Sequence, residues 1–469
     1  MSARTLVAGV DSSTQSTKIV VCDAQTGQVV RASRAPHPDG TEVHPDRWWE
    51  AYTQASGDGI LDGVDSIAVG GQQHGMVTLD DDDEVVRDAL LWNDTRSAPA
   101  AADLVAELGG VGAWVDAVGS VPVASFTVTK LRWLAEHEPD NAARVARVVL
   151  PHDWLTGRIL KQGMGFERWS TDRGDASGTG YWSAATGEYR LDLVERALGR
   201  VVDVPEVIAP AAAAGRTSSG VIVAAGTGDN MGAALGLTLT PGDVVVSLGT
   251  SGTVFTPTDG PIRDETGAIA GFADATGRHL PLMCTLNAAR VLSATATMMG
   301  VDLATLDRLA LEAESGAGGL SMLPYLDGER TPDLPLATGT LSGLTRANAT
   351  PANLARAAVE GMLCNLVAGV DALRAHGVQV DRVLLIGGAA ASRAVREIAP
   401  GLFKAPVVVP TPAEYVGIGA ARQAAWALSG EPEPPSWQLV LDSEYDVPAV
   451  DTSGVTGRYA ALLAKMHDR

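Results

Sequence analysis

Apolar residues fall into short runs broken by turns rich in glycine, hydroxyls and aspartate, and these runs alternate with longer segments of helical period. Leu6–Val10, Ile19–Cys22 and Val29–Ala32 read as three successive strands, with Thr26-Gly27 turning the second into the third. A helix is expected near Pro45–Gln54, with Pro45 at its first position, where a missing N–H is harmless. Ser66–Val69 reads as a short buried strand, and Asp80–Glu84 as the solvated turn of a hairpin. Helices are predicted over Ser97–Leu108 and Thr127–His137, and a strand over Val145–Leu150. Residues 171–189, rich in Gly, Ser, Thr and Asp, read as a loop or small hairpin. Val221–Ala225 then reads as a strand that turns through Gly-Thr-Gly into a helix beginning at Asp229.

From Asp243 the strand–turn–strand theme returns, followed by helices near Leu286–Met299 and Leu303–Glu314. A long helix is predicted over Pro351–His376, with Thr350 as N-cap. Leu354, Ala358, Met362, Leu366 and Leu373 give it one apolar face. Arg382–Ile386 reads as a buried strand that leads through Gly387-Gly388 into a helix, then strand Val407–Val409 and a last long helix near Val416–Leu428. Glu431–Pro435 is a rigid connector to the C-terminal segment. Strands alternate with helices, so the class is α/β. The hairpins that open each half predict mixed sheets. No G-x-G-x-x-G turn opens a helix after the first strand, and no G-x-x-x-x-G-K-[ST] loop occurs, which excludes a P-loop enzyme.

Length and charge narrow the class. At 469 residues the chain exceeds one ordinary core, so two domains are expected. A net charge of −21 disfavours nucleic acid and anionic membranes as partners. Cys22, Cys284 and Cys364 are too far apart for a disulfide framework or a metal cluster, which fits a reduced cytoplasm. Leu6–Val10 is too short for a secretory apolar region, and no run approaches the ~18–20 apolar residues of a membrane helix.

Two hydroxyl-rich turns lie half a chain apart. The first is Val-Asp-Ser-Ser-Thr-Gln-Ser-Thr-Lys at residues 10–18, the second Leu-Gly-Thr-Ser-Gly-Thr at residues 248–253. Free backbone N–H groups beside small hydroxyls cradle phosphate oxygens. One such turn per half suggests a nucleotide triphosphate held between two related domains. Asp11, beside bound phosphates, would need a cation between, which points to Mg²⁺; the rival is an Asx-turn stabilising the hairpin. Lys18 either reaches a phosphate or lies on a solvent face. Asp229, where a buried strand turns into a helix, suits a base that takes a hydroxyl proton, or an N-cap. The helix dipole there is expected to keep it ionised. Gln72, Gln73 and His74 sit on a Gly-flanked loop at a strand end, where ligands bind in α/β sheets, and can each donate and accept. Nearby, Trp92 can cover a sugar face, and Asn93, Asp94 and Arg96 can bind hydroxyls; a salt bridge between Asp94 and Arg96 is the rival. Gly387-Gly388 lets backbone approach a flat ligand such as a nucleoside, or is a helix-entry turn.

Several stretches resemble the FGGY family of carbohydrate kinases and, within it, the branch that phosphorylates xylulose. They are Gly71-Gln72-Gln73-His74-Gly75, Leu91-Trp92-Asn93-Asp94, Lys130-Leu131-Arg132-Trp133-Leu134, Leu323–Pro332, Gly339–Leu344 and Ala357-Ala358-Val359-Glu360. The resemblance runs essentially end to end. It implies two duplicated ribonuclease-H-like domains of the actin and hexokinase type around a central cleft, here 1–238 with the sugar site and 239–469 with the nucleotide side. It implies ATP-dependent transfer to D-xylulose, with ribulose, gluconate or glycerol as the alternative acceptors. Asp229 would be the catalytic base and Asp11 would serve Mg²⁺. Gln73, His74 and Asn230 would touch the ketose, and Thr14, Thr250, Ser251, Gly387 and Gly388 would serve ATP. Relatives are often dimers, which implies a homodimer. Thr171, Asp172, Asp175, Ala176 and Ser177 match a family segment near the cleft whose role stays open. Gln73, Ala389 and Pro400 depart from the common pattern of Met, Gly and an acidic residue.

Overall fold

The computed structural model describes residues 4–467. Within them the chain forms two units. The first holds the chain up to Leu239 together with Thr258–Leu280 and Ala413–Leu439, and the second holds Thr240–Pro257, Pro281–Pro412 and the segment from Val440. Two segments from beyond residue 239 thus lie in the first unit, so the division is not a single cut in the chain.

In the first unit, strand Leu6–Ser12 pairs antiparallel with Ser16–Asp23, which places Asp11 directly opposite Lys18. On its other side it runs parallel to Val64–Gly71. The sheet order is Ala213–Arg216, Ile222–Ala224, Val64–Gly71, Leu6–Ser12, Ser16–Asp23, Val29–Pro36, with Thr227–Gly228 also against Val64–Gly71. Both faces of the central strands are covered, which is why they read as continuous apolar runs. Ala8, Val10, Ile19, Val21, Ile67 and Val69 pack on one side with Trp48, Trp154 and Leu155. Val7, Val20, Ala68 and Ala224 pack on the other against Ala420, Ala421, Ala424 and Ala425 of helix Tyr415–Ser429. Small residues let that helix lie close. A Cβ at Gly9 would collide with the Gly417 carbonyl oxygen, and one at Gly419 with that of Gly232.

The second unit repeats the plan. Asp243–Leu248 pairs antiparallel with Gly252–Phe255 and parallel with Arg382–Ile386. The order runs His279–Thr285, Gly252–Phe255, Asp243–Leu248, Arg382–Ile386, Val407–Pro410, Leu441–Tyr445. Helix Pro351–Ala375 starts where Thr350 accepts a hydrogen bond from the Asn353 N–H. Ala358, Met362, Leu366 and Leu373 are fully buried, while Leu354 is half-buried. Glu329, in the Gly-Glu-Arg-Thr-Pro stretch, is buried and accepts from the Leu286 N–H and from the amides of Asn287 and Asn365. That motif ties three elements of this unit together.

Two local expectations change. Residues 171–189 contain a helix, Arg173–Ser177, capped by the Asp172 carboxylate, as well as the hairpin Trp182–Ser183 with Glu188–Tyr189. Its Gly and Ser content hides so short a helix. The Asp80–Glu84 turn is not simply solvated: Asp83 accepts from Arg147, Lys161 and Trp169. Among the described residues, no helix is long and apolar enough to cross a membrane.

Candidate active site

Asp11 lies beside Gly70 in the parallel register, and Gly70 lies beside Thr227. One row across the ends of three neighbouring strands thus carries Asp11, the glycine pair 70–71 and the turn into Asp229. The Asp11 carboxylate is buried, and its Oδ2 is 3.4 Å from Lys18 Nζ. Its Oδ1 has no hydrogen-bond partner. Burial pushes the Asp11 carboxyl up to about 6, with Lys18 pulling the other way. Lys18 also meets Glu414, at 2.6 Å. It therefore lies, half-buried, between two carboxylates. Burial works against its charge, but the two acids outweigh burial and raise its proton affinity.

Asp229 opens helix Asp229–Gly236 at its first position, with Gly228 as N-cap. It is not the cap. Its Oδ1 accepts from the backbone N–H of Asn230 at 2.7 Å and from the Asn230 side-chain amide at 2.8 Å. Asn230 therefore orients the carboxylate. The helix end was expected to keep Asp229 ionised, but burial outweighs it. Burial pushes the carboxyl up to about 7, the Asn230 N–H opposes this, and the Asp11 charge adds to the rise. A carboxyl near 7 is matched to proton transfer at neutral pH.

Gln73 and His74 are buried beneath this row. His74 has φ +68°, and its Nδ1 is 2.5 Å from the Gly178 carbonyl oxygen, with the ring stacked on Phe126. Gln73 Nε2 donates to the Gly174 carbonyl at 3.4 Å, and the same side chain packs where a Cβ on Gly228 would sit. Thr14 accepts from the Trp92 indole N–H at 2.8 Å and faces Gln72 Oε1 at 3.5 Å. Asp94 and Arg96 form the salt bridge that rivalled a binding role. Asp94 also accepts from Thr41, and Arg96 reaches Glu42.

In the second unit the turn at Gly249-Thr250-Ser251 and the pair Gly387-Gly388 leave neighbouring parallel strands at the same end, because Ser247 lies beside Ile386. Gly387 has φ +88°, and a Cβ there would sit 2.7 Å from the Leu248 carbonyl carbon. Only glycine fits. Thr250, Gly387 and Gly388 are exposed, and Ser251 is half-buried.

A further cluster was only partly legible. His152, with Asp153 in the first turn of helix Pro151–Gln162, meets Asp172 and Asp175. His152, Asp172 and Asp175 bring donor atoms within 4.8 Å of one another. Yet Nδ1 of His152 is 2.5 Å from Asp175 Oδ2. That is a hydrogen bond, closer than two ligands can stand on an ion bound at ~2.0–2.2 Å. The group is an ion cluster. The segment around Asp172 and Asp175 stood out in the sequence, but His152 and Asp153 did not. The available signal was two adjacent polar residues in the first turn of a helix that opens on Pro151.

The family model described as "FGGY family of carbohydrate kinases, N-terminal domain" matches residues 6–236, and the C-terminal domain model of the same family matches 244–428. The chain belongs to the FGGY family of carbohydrate kinases. Among named relatives, it is 46% identical to the xylulose kinase of Streptomyces coelicolor over 91% of this chain and 89% of that one. It is 32% identical to the xylulose kinase of Escherichia coli over 90% of each. Among solved structures, the xylulose kinase of Bifidobacterium adolescentis superposes with a TM-score of 0.91 at 46% identity, covering 98% of this chain and 100% of that one. Plasmodium falciparum glycerol kinase, at 16% identity and TM-score 0.87, shares the fold. The fold is thus that of the two-domain carbohydrate kinases, an α/β arrangement with mixed sheets in both units.

Proposed function

We propose that this carbohydrate kinase phosphorylates D-xylulose to D-xylulose 5-phosphate, with ATP as donor, in the cytoplasm. The observation that carries the reading is the row joining Asp11 to the turn before Asp229, with Asp229 at a helix N-terminus and its carboxyl near 7. The relatives named xylulose kinase supply the substrate. Asp229 takes the proton of the sugar hydroxyl as that oxygen attacks the terminal phosphorus of ATP and ADP leaves, and Asn230 holds the carboxylate in aim. The amides opening helix Asp229–Gly236 face the incoming anionic group. Gln73 and His74 shape the floor beneath the ketose. Thr14 on one hydroxyl turn, Thr250 and Ser251 on the other, and Gly387 with Gly388 receive ATP. Asp11 fits a hard cation, because its Oδ1 is a buried oxygen donor with no protein partner. Mg²⁺ bound there would neutralise phosphate oxygens as the terminal group transfers.

A panel of ketopentoses and polyols with coupled ADP detection tests the substrate. D-xylulose is expected to give the highest kcat/KM. A higher value for ribulose, gluconate or glycerol would replace the substrate and keep the chemistry. ATP hydrolysis unaffected by every sugar would remove the kinase reading altogether.

A further inference from the structure

The cluster around His152 has no step in the reaction above, yet both of its ring nitrogens face carboxylates. Nδ1 is 2.5 Å from Asp175 Oδ2, while Nε2 is 3.3 Å from Asp153 Oδ1 and 3.7 Å from Asp172 Oδ1. A neutral imidazole has one N–H and one lone pair, so one nitrogen would aim its lone pair at an acid. Nε2 makes no hydrogen bond, but only the imidazolium turns an N–H rather than a lone pair toward the acids on both sides. His152 is completely buried, and all three acids are buried with it. A neutral ring would leave Asp153 and Asp175 without an adjacent counter-charge, away from water, with Arg173 serving Asp172 alone.

We propose that His152 is held as an imidazolium, a buried cation that positions Asp229 and keeps its proton affinity low enough for it to act as a base. The proposal rests on the reading of Asp229 as that base. Two contacts carry the coupling. The His152 Cβ occupies the place a Cβ on Gly71 would need, and its ring edge does the same beside Gly226, which has φ +87°. These glycines flank the turn that delivers Asp229, and the His152 side chain fits only because they lack side chains. The second contact is electrostatic: Asp175, the partner of Nδ1, feels the charge of Asp229. The groups facing His152 are Asp153 on its own helix and Asp172 and Asp175 on the next segment. Arg173 lies beside Asp172, the Tyr181 hydroxyl feels Asp153 and Asp175, and Tyr189 feels Asp153 and Asp172. Burial pushes the imidazole down, but the three carboxylates outweigh it and carry it up to about 10.

The sign of the effect follows. Removing the cation leaves Asp175 uncompensated, and its negative charge disfavours ionised Asp229. The acid limb of kcat/KM then moves to higher pH.

The test has two arms. In histidine-labelled wild-type protein near pH 8, ¹⁵N NMR is expected to show one ring with both nitrogens protonated, and His152→Gln should remove that signal. This arm needs neither sugar nor nucleotide, so its failure is distinguishable from a failure of the kinase reading. A neutral tautomer in wild type would overturn the proposal, as would a stoichiometric metal that co-purifies with wild type and is lost in His152→Gln. In the kinetic arm, folded His152→Gln is expected to shift the acid limb up by about one unit, roughly a tenfold loss of kcat/KM below the limb. Less change is expected on the alkaline plateau. His152→Lys, which restores a cation, should return the limb toward wild type. An unmoved limb in His152→Gln, or a Lys variant no different from Gln, would overturn the coupling.

Discussion

At the scale of single residues, the proposed chemistry centres on Asp229. Its carboxyl is pushed up to about 7 by burial, against the Asn230 N–H and with help from Asp11. A base must be ionised to accept a proton, so kcat/KM is expected to rise about tenfold per unit below pH ~7 and then level off. Asp229→Asn removes the base and keeps the shape. It should cost about 10²–10⁴ in turnover, abolish that limb, and leave the circular dichroism spectrum and sugar binding by calorimetry intact. Turnover near wild type would take Asp229 out of its role. Asp11 and Asp229 were legible in the sequence because each follows an apolar run at a turn, one rich in hydroxyls and the other in glycine. The Lys18–Glu414 pair was not, since its partners are far apart in the chain and meet only through the fold. Nor was the rise in the Asp229 carboxyl: a local helix end predicts ionisation, and burial is a property of the packed surroundings.

At the scale of elements, a close glycine contact sets where the helix of Asp229 sits. Helix Tyr415–Ser429 approaches helix Asp229–Gly236 so closely that a Cβ on Gly419 would collide with the Gly232 carbonyl oxygen. Backbone is on the receiving side, so no side chain can rotate away. Gly419→Ala is expected to force the helices apart, destabilising the protein by about 1–3 kcal/mol in chemical denaturation. It should also lower kcat, because the displaced helix carries Asp229. Gly457→Ala is the control. Gly457 is exposed in helix Ser453–His467, and a Cβ there meets nothing within 4 Å. That change should be neutral or slightly stabilising. Equal effects from the two would show that helix–helix approach is not the cause. The sequence revealed the long helices well, because period and caps are local; Thr127–His137 runs over the residues expected. It concealed which faces meet, since the alanines of Tyr415–Ser429 look like ordinary helix formers and its glycines do not name the partner they approach.

At the scale of the whole molecule, chain order and folding unit part ways. The helix that covers one face of the first sheet comes from residues beyond 412, with Ala420, Ala421, Ala424 and Ala425 closing over Val7, Val20, Ala68 and Ala224. Gln423 also bonds both the N–H and the carbonyl of Gly226, in the turn that leads to Asp229. A fragment of residues 1–239 would therefore expose one apolar face of its central strands to water and leave those two backbone groups without Gln423. It is expected to bind a hydrophobic dye and to lack a cooperative thermal transition. Joining residues 413–439 to it through a flexible linker should restore a cooperative melt, and the same fusion carrying Gly419→Ala should restore less. A lone 1–239 fragment with a cooperative melt and dispersed amide signals would show that the covering helix is dispensable. The first half would then be an independent folding unit, and the late segment an addition to it. If instead the fusion alone folds, Asp11 and Asp229 depend on a segment translated long after them, and the proposed base cannot be assembled until residues 413–439 have been made.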